Sequence, residues 1–457
     1  MDVDDRFERV TVVGAAGKMG CGIALLLAQE LARVNSQRGG GGTTSRLTLV
    51  DVRQDGLTDL LKYIETQSAR LAGRDLESLR RLYRGRTGIA GDDQVARAFV
   101  ADTLSVIRTA TDTRHARGSR LVFEAVPETE RLKIETLRRL KEACPEDAVF
   151  LSNTSSIPIQ FLDREAGLDG RIVGFHFYNP PAVQELVEVI SARTTRPELA
   201  ELARAIGRRL GKRLVPSRDV AGFIGNGHFV REALHTVREA SRLGDRFDEA
   251  EAIYALDRVS REGLVRPMGI FQLIDYVGID VFSSILRVMT RHTAGETFRA
   301  DLIDRMVAKN VLGGQRADGS QRDGFFRYEG RRPIAVYVLE REGYVPLQSL
   351  GRVDRALGHL AHIEWKDVRG DPALARTLGE HFAYLASLDT LGARLSMAYL
   401  RASRRVGEKL VSDGIAESAE DLNTVLTSGF HHLYGPLNDY TDQPLALGPE
   451  SGAGRGA

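Results

Sequence analysis

Apolar residues in the first half of the chain fall in short runs separated by longer amphipathic stretches. Runs rich in β-branched and aromatic residues at 9–14, 46–52, 105–110, 120–126, 148–153, 171–177, 184–190 and 213–216 predict strands. Between them, apolar positions at helical spacing predict helices at 18–33, 55–86, 92–103, 128–144 and 196–211. Strands alternating with helices imply an α/β fold, a doubly wound and mostly parallel sheet covered on both faces. From Val220 onward the spacing is almost all helical, with helices predicted at 222–243, 247–261, 268–289 and 297–309. That change of layer composition puts a domain boundary near residue 219, with 1–218 forming the first domain.

Length and charge narrow the picture. A chain of 457 residues is too long for one typical domain. Hydrophobic content of 42% and charged content of 27% fit an ordinary globular protein. A net charge of +1 argues against nucleic acid or an anionic membrane surface as partner. No apolar run is long enough to predict a membrane span, and the acidic start lacks the apolar core of a signal peptide. Cys21 and Cys144 lack metal-ligand spacing, so no metal is expected. Two reduced thiols suit a cytoplasmic protein.

The first strand leads into Gly14, Ala15, Ala16, Gly17, Lys18, Met19 and Gly20, and then into an apolar helix. Strand, glycine loop and helix form the context of a Rossmann-like dinucleotide fingerprint. Glycines permit the tight turn, and backbone N–H groups at the helix start suit a pyrophosphate. Ala15 stands where a strict G-x-G-x-x-G pattern has its first glycine. The second strand ends in Asp51, which suits a ribose and favours NAD over NADP, although Arg53 leaves room for NADP. Asp51 comes late for this fingerprint, and the polar, glycine-rich stretch 34–45 reads as a flexible insertion that accounts for the delay.

Ligands of such sheets bind at the carboxyl ends of the strands. Three further strand ends carry polar residues: Glu124, the Ser152-Asn153-Thr154-Ser155-Ser156 run, and His176. Glu188 follows His176 by twelve positions, across Asn179, Pro180 and Pro181. If that turn folds the two strands together, the carboxylate holds one imidazole nitrogen and leaves the other free to take a proton. A capping serine, a turn asparagine and a satisfied strand-end histidine are the alternative readings of these residues taken singly.

Taken together these residues resemble the NAD-dependent L-3-hydroxyacyl-CoA dehydrogenases of fatty acid β-oxidation. The motifs are MGCGIA (19–24), FVADTLSVIRTATD (99–112), FEAVPE (123–128), LSNTSS (151–156), GFHFYNPP (174–181), LVEVI (186–190), DVAGFIGN (219–226) and RPMGIFQLIDYVG (266–278). The resemblance implies oxidation of a (3S)-3-hydroxyacyl-CoA, with His176 as general base and Glu188 as its orienting partner. It implies that Ser155 and Asn226 hydrogen-bond the reacting oxygen and the histidine surroundings. Glu124 is implied to lie beside the nicotinamide, Asn153 to contact the cofactor and Asn179 to support the loop. An ordinary imidazole titrates near about 6.5, so it can accept the hydroxyl proton at physiological pH.

The hairpin 57–86 corresponds to the family segment over coenzyme A. Lys62, Arg70, Arg74, Arg80, Arg81, Arg84 and Arg86 are candidates for its phosphates, although a solvated basic face is the expectation for most of them. Two positions depart from the family: Gly227 replaces an arginine and Ile270 a proline. Residues 391–440 echo 229–276 at a spacing of about 165 residues. The echo suggests a helical domain at 219–345, a second divergent copy at 346–445, and a disordered tail at 446–457. Tandem copies would make either a homodimer or an intramolecular pseudo-dimer. An enoyl-CoA hydratase or thiolase is the implied pathway partner. Two rival readings are a dehydrogenase of a free hydroxy or sugar acid and a non-catalytic NAD-binding protein.

Overall fold

Each of the eight apolar runs of the first half forms a strand: β1 (Arg9–Val13), β2 (Arg46–Val50), β3 (Ile107–Ala110), β4 (Leu121–Glu124), β5 (Val149–Ser152), β6 (Ile172–Phe177), β7 (Leu186–Ser191) and β8 (Arg213–Arg218). They join in one sheet of order β3-β2-β1-β4-β5-β6-β7-β8. Every neighbouring pair is parallel except β6 and β7, which run antiparallel. The computed structural model describes residues 3–38, 45–89, 91–316, 319–360 and 363–442. The expected tail at 446–457 and part of the expected insertion, 39–44, lie outside the described residues.

The chain divides into two compact units, Met1–Phe223 and Ile224–Ala457. In the first, β4 and β5 are buried at every position, as strands covered on both faces require. The helix Lys18–Gln37 buries Ile23, Leu27 and Leu31 completely. Each such side chain contributes about 1.5–3 kcal/mol through its removal from water. This helix runs four residues beyond its expected end and takes up the start of the expected insertion. The expected hairpin helix divides into Gln54–Arg74 and Leu76–Leu82, and a short helix at Ile159–Ala166 was not anticipated. Its eight residues end at Gly167 in the left-handed conformation and give too short a pattern to stand out.

The second unit starts with helices Gly225–Arg242, Glu249–Arg258, Ile270–Val277, Ile279–His292 and Asp301–Ala308. The helix expected over 268–289 is broken at Gly278, whose φ of 108° a side chain would resist. A three-stranded antiparallel sheet follows, made of β9 (Phe326–Glu329), β10 (Arg332–Val338) and β11 (Gly343–Pro346), where helical spacing had given no hint of strands. Helices Gly351–Leu357, Leu374–Ser387, Leu391–Ser412 and Ala419–Gly429 complete the unit. Among the described residues, no helix is long and apolar enough to cross a membrane.

Candidate active site

The reversal between β6 and β7 places His176 opposite Glu188 in the strand register. Directly paired residues on neighbouring strands share a face, so the two side chains meet. Nδ1 of His176 lies 3.1 Å from Oε1 of Glu188. Glu188 is fully buried and His176 is 8% exposed, so the carboxylate is sealed in while the ring keeps a path outward. A carboxylate only accepts, so Nδ1 carries the proton and Nε2 is left as the basic nitrogen. Tyr178 donates to the same Oε1 at 2.7 Å, and its ring lies 4.9 Å from the imidazole. Burial, followed by the charge of Glu188, pushes the Tyr178 phenol well above the usual tyrosine range.

The end of β5 is tied to the strand that carries the histidine. Oδ1 of Asn153 accepts from the Phe177 backbone N–H at 2.9 Å, and the Asn153 N–H donates to the Glu124 carbonyl at 2.8 Å. The Asn153 amide thus braces β6 beside the histidine. Asn179 precedes Pro180 through a cis peptide bond, and Lys212 donates to the carbonyls of Pro181 and Gln184 at 2.7 Å each.

Ser155 sits in a loop held by Glu128, a residue to which the sequence reading gave no role. Oε1 of Glu128 accepts from Thr154 Oγ1 at 2.7 Å, and from Ser155 N, Ser156 N and Ser156 Oγ at 2.9 Å each. Glu124 is wholly buried. It accepts from Val126 N and Lys133 Nζ at 2.8 Å and from Ser152 Oγ at 2.6 Å. Lys133 Nζ also lies 3.4 Å from Oε2 of Glu128. Burial alone would push the Glu128 carboxyl up, yet the Lys133 charge and the surrounding donors hold it below its ordinary range. Burial likewise opposes the Lys133 ammonium, and the two carboxylates more than offset this. Lys133 occupies the same buried stripe as Leu137 and Leu140, and a lysine on an apolar stripe was the available signal.

The glycine loop fits a bound pyrophosphate. Gly14 has φ of 75°, and a Cβ there would meet Ala125 O at 2.6 Å. A Cβ on Gly20 would come within 2.0 Å of Gly14 O, so only glycine lets the helix approach the turn. The helix N-cap is Gly17, which has no side chain to cap the first-turn N–H groups. Lys18 and Met19 open that helix, and burial pushes the Lys18 amine down. Oδ2 of Asp51 accepts from Ala16 N at 3.0 Å and Oδ1 from Arg53 N at 3.1 Å, tying the end of β2 to the loop. Ala15 N donates to Val50 O at 3.1 Å. Val52, 87% exposed, offers an apolar surface beside Asp51.

Four of the seven basic residues of the hairpin are engaged in ion pairs: Lys62 with Asp59, Arg80 with Asp92, Arg81 with Glu77 and Arg86 with Asp102. In the second unit, Asn226 is the second residue of the Gly225–Arg242 helix, followed by the buried Gly227. Ile270 opens the helix Ile270–Val277, its N–H donating to Ser260 Oγ at 2.9 Å.

This sheet, with its glycine loop, its acid after β2 and its buried histidine–carboxylate pair at a strand end, defines a nicotinamide-dependent dehydrogenase. The chain belongs to the 3-hydroxyacyl-CoA dehydrogenase family. Residues 9–220 match the family's NAD binding domain and residues 222–323 its C-terminal domain. Human mitochondrial hydroxyacyl-coenzyme A dehydrogenase is 32% identical over 326 residues, covering 70% of this chain and 91% of the relative. A Bacillus subtilis protein described as a probable 3-hydroxybutyryl-CoA dehydrogenase is 28% identical, over 70% of this chain and 96% of the relative. Among solved structures, 3-hydroxybutyryl-CoA dehydrogenase from Escherichia coli K12 shares the fold over 94% of this chain and 90% of its own, with a TM-score of 0.60 at 20% identity.

Proposed function

We infer that the chain catalyses the reversible, NAD-dependent oxidation of (3S)-3-hydroxyacyl-CoA to 3-oxoacyl-CoA, with His176 and Glu188 as the acid/base pair. The observation that carries the roles of this pair is the Nδ1–Oε1 contact of 3.1 Å made across the β6–β7 register. In the oxidation, Nε2 of His176 takes the proton of the 3-hydroxyl as C3 gives up hydride. Glu188 holds the ring in the tautomer that exposes Nε2 and stabilises the imidazolium that forms. Bound NAD supplies the hydride acceptor. Ser155, in the loop fixed by Glu128, and Asn226, by its motif, are assigned to the reacting oxygen and the histidine surroundings. Asn153 and Glu124 brace the cofactor side, and Asp51 takes the ribose. In this reading Glu124 acts through Lys133 and Ser152, because its carboxylate is enclosed.

Residues 391–440 are, in this reading, a second copy of the helical domain. Two local features support it. A Cβ on Gly269 would strike Asp257, and a Cβ on Gly435 would strike Asn423 in the same way. Asp257 accepts from Phe271 N at 3.0 Å, and Asn423 accepts from Leu437 N at 3.1 Å. Both pairs are spaced by the same number of residues. We assign 219–345 to the first copy and 346–445 to the second, an intramolecular pseudo-dimer in the cytoplasm that shares its pathway with an enoyl-CoA hydratase or thiolase.

The test is NADH consumption with acetoacetyl-CoA, beside free acetoacetate and NADPH. Turnover with thioester and NADH is expected. Turnover with acetoacetate alone would move the assignment to a free-acid dehydrogenase.

A further inference from the structure

The Glu188 carboxylate has two claimants on one oxygen. Oε1 accepts from His176 Nδ1 at 3.1 Å and from Tyr178 Oη at 2.7 Å, and the tyrosine contact is the shorter. Tyr178 follows β6 directly, so its ring packs beside the imidazole and its hydroxyl reaches across to β7. The hydroxyl stays protonated over the physiological range, because burial and the Glu188 charge both favour the neutral phenol. A donor on Oε1 withdraws charge from the atom that stabilises the imidazolium.

We propose that Tyr178 is a positioning residue for this reaction, sharing the Glu188 carboxylate oxygen with His176 and thereby limiting how strongly that carboxylate holds the protonated ring. The proposal rests on His176 as the base and adds a residue that weakens its grip on the proton. A carboxylate without the tyrosine donor would favour the imidazolium more strongly, which is the wrong form for taking the hydroxyl proton. Sharing the carboxylate keeps the ring in its accepting form at lower pH and makes it a readier donor in the reverse direction.

Charged and aromatic groups stand on the neighbouring elements. Val215 on β8 stands at the Glu188 register and carries no charge. Phe223 is a second aromatic neighbour of the imidazole, at 6.1 Å, beyond Tyr178. Towards β5 and β4, Glu124, Lys133 and Glu128 compensate one another. Lys212, pushed down to about 8 by burial, is turned to the carbonyls of Pro181 and Gln184.

The experiment compares three full-length proteins: the native chain, Tyr178→Phe, and the chain with 3-fluorotyrosine at 178. The phenyl ring keeps the shape and deletes the donor, while fluorine makes the hydroxyl a stronger donor. The acid limb of kcat/KM for hydroxyacyl-CoA oxidation is expected to move up by roughly half to one pH unit in Tyr178→Phe, a three- to tenfold change in proton affinity. It is expected to move down in the fluorinated protein, with KM for NAD unchanged in both. The His176 ring is titrated in parallel by NMR, with His176→Gln assigning its signal, and the same two opposite displacements are expected. An unmoved limb and ring titration, or displacement of both variants in the same direction, overturns the proposal. The ring titration needs no turnover, so failure of the acyl-CoA assignment is read separately from failure of the tyrosine role.

Discussion

Replacing Lys133 with methionine removes one charge and nearly keeps the stem. Its ammonium donates to Glu124 Oε1 at 2.8 Å and Val126 O at 3.2 Å, and lies 3.4 Å from Glu128 Oε2. The lysine side chain is 1% exposed and the Glu124 side chain 0%. One cation therefore serves two carboxylates, and the variant leaves both uncompensated. Removing one partner of a buried pair costs about 3–5 kcal/mol, because the remaining charge has no water to turn to. Total stabilities run at about 5–15 kcal/mol, so this is a large share. For a unit of this size it corresponds to a fall in Tm of roughly 6–20 °C. The sign of the pH dependence follows from the native shifts. Glu128 is held below the ordinary carboxyl range, so its contribution is full above that range and is lost as the pH falls through the folded-state value. Lys133 is held above 10.5, so its contribution is full below that value and is lost as the pH rises through the folded-state value. Without the cation the buried carboxylate takes up a proton on folding, and the deficit of Lys133→Met relative to the native chain narrows on acidification from neutrality. Differential scanning calorimetry across that range, with Lys133→Met/Glu124→Gln as a partial rescue, measures all of this. A Tm fall of less than about 3 °C, or a deficit that widens on acidification, would refute the reasoning.

His176→Gln is expected to lower kcat by about 10²–10⁴ with NAD affinity nearly intact, read by steady-state kinetics and fluorescence titration. Unreduced turnover would remove the histidine from the mechanism. Asp51→Ala is expected to weaken NAD binding and relax discrimination against NADP, since the carboxylate assigned to the ribose also ties the glycine loop. Equal NAD affinity in calorimetry would place the ribose elsewhere. Gly435→Ala forces a methyl group against Asn423 and is expected to lower Tm by several degrees, as Gly269→Ala does through Asp257. A large effect from one and none from the other would argue against a repeated local structure.

The sheet was legible because each strand is a compact apolar run between helices of clear period. The dyad was legible because polar residues at the ends of buried strands are conspicuous. Glu128 and Lys133 were not read as a pair: the glutamate lies past its strand end, and the lysine hides in a helix rich in basic residues. Its place on the stripe of Leu137 and Leu140 was the one sign that Lys133 points inward while Arg131 points out, as the packing has it. The strands of the 326–346 sheet are four to seven residues long and carry charged residues, so no two-residue period could build up. The hairpin helix broke at Asp75, where neither glycine nor proline marks the stop.

The lone antiparallel pair in an otherwise parallel sheet has a consequence for how sequence change is tolerated. Parallel neighbours are joined by long crossovers, but β6 and β7 are joined by a loop of eight residues, 178–185, so His176 and Glu188 are built by adjacent chain. Loop length can drift while the two strands keep their pairing. A slip of β7 by one residue against β6 cannot be absorbed in this way: it turns the Glu188 carboxylate to the opposite face of the sheet and takes it from His176, while a slip by two carries it along the same face to another partner.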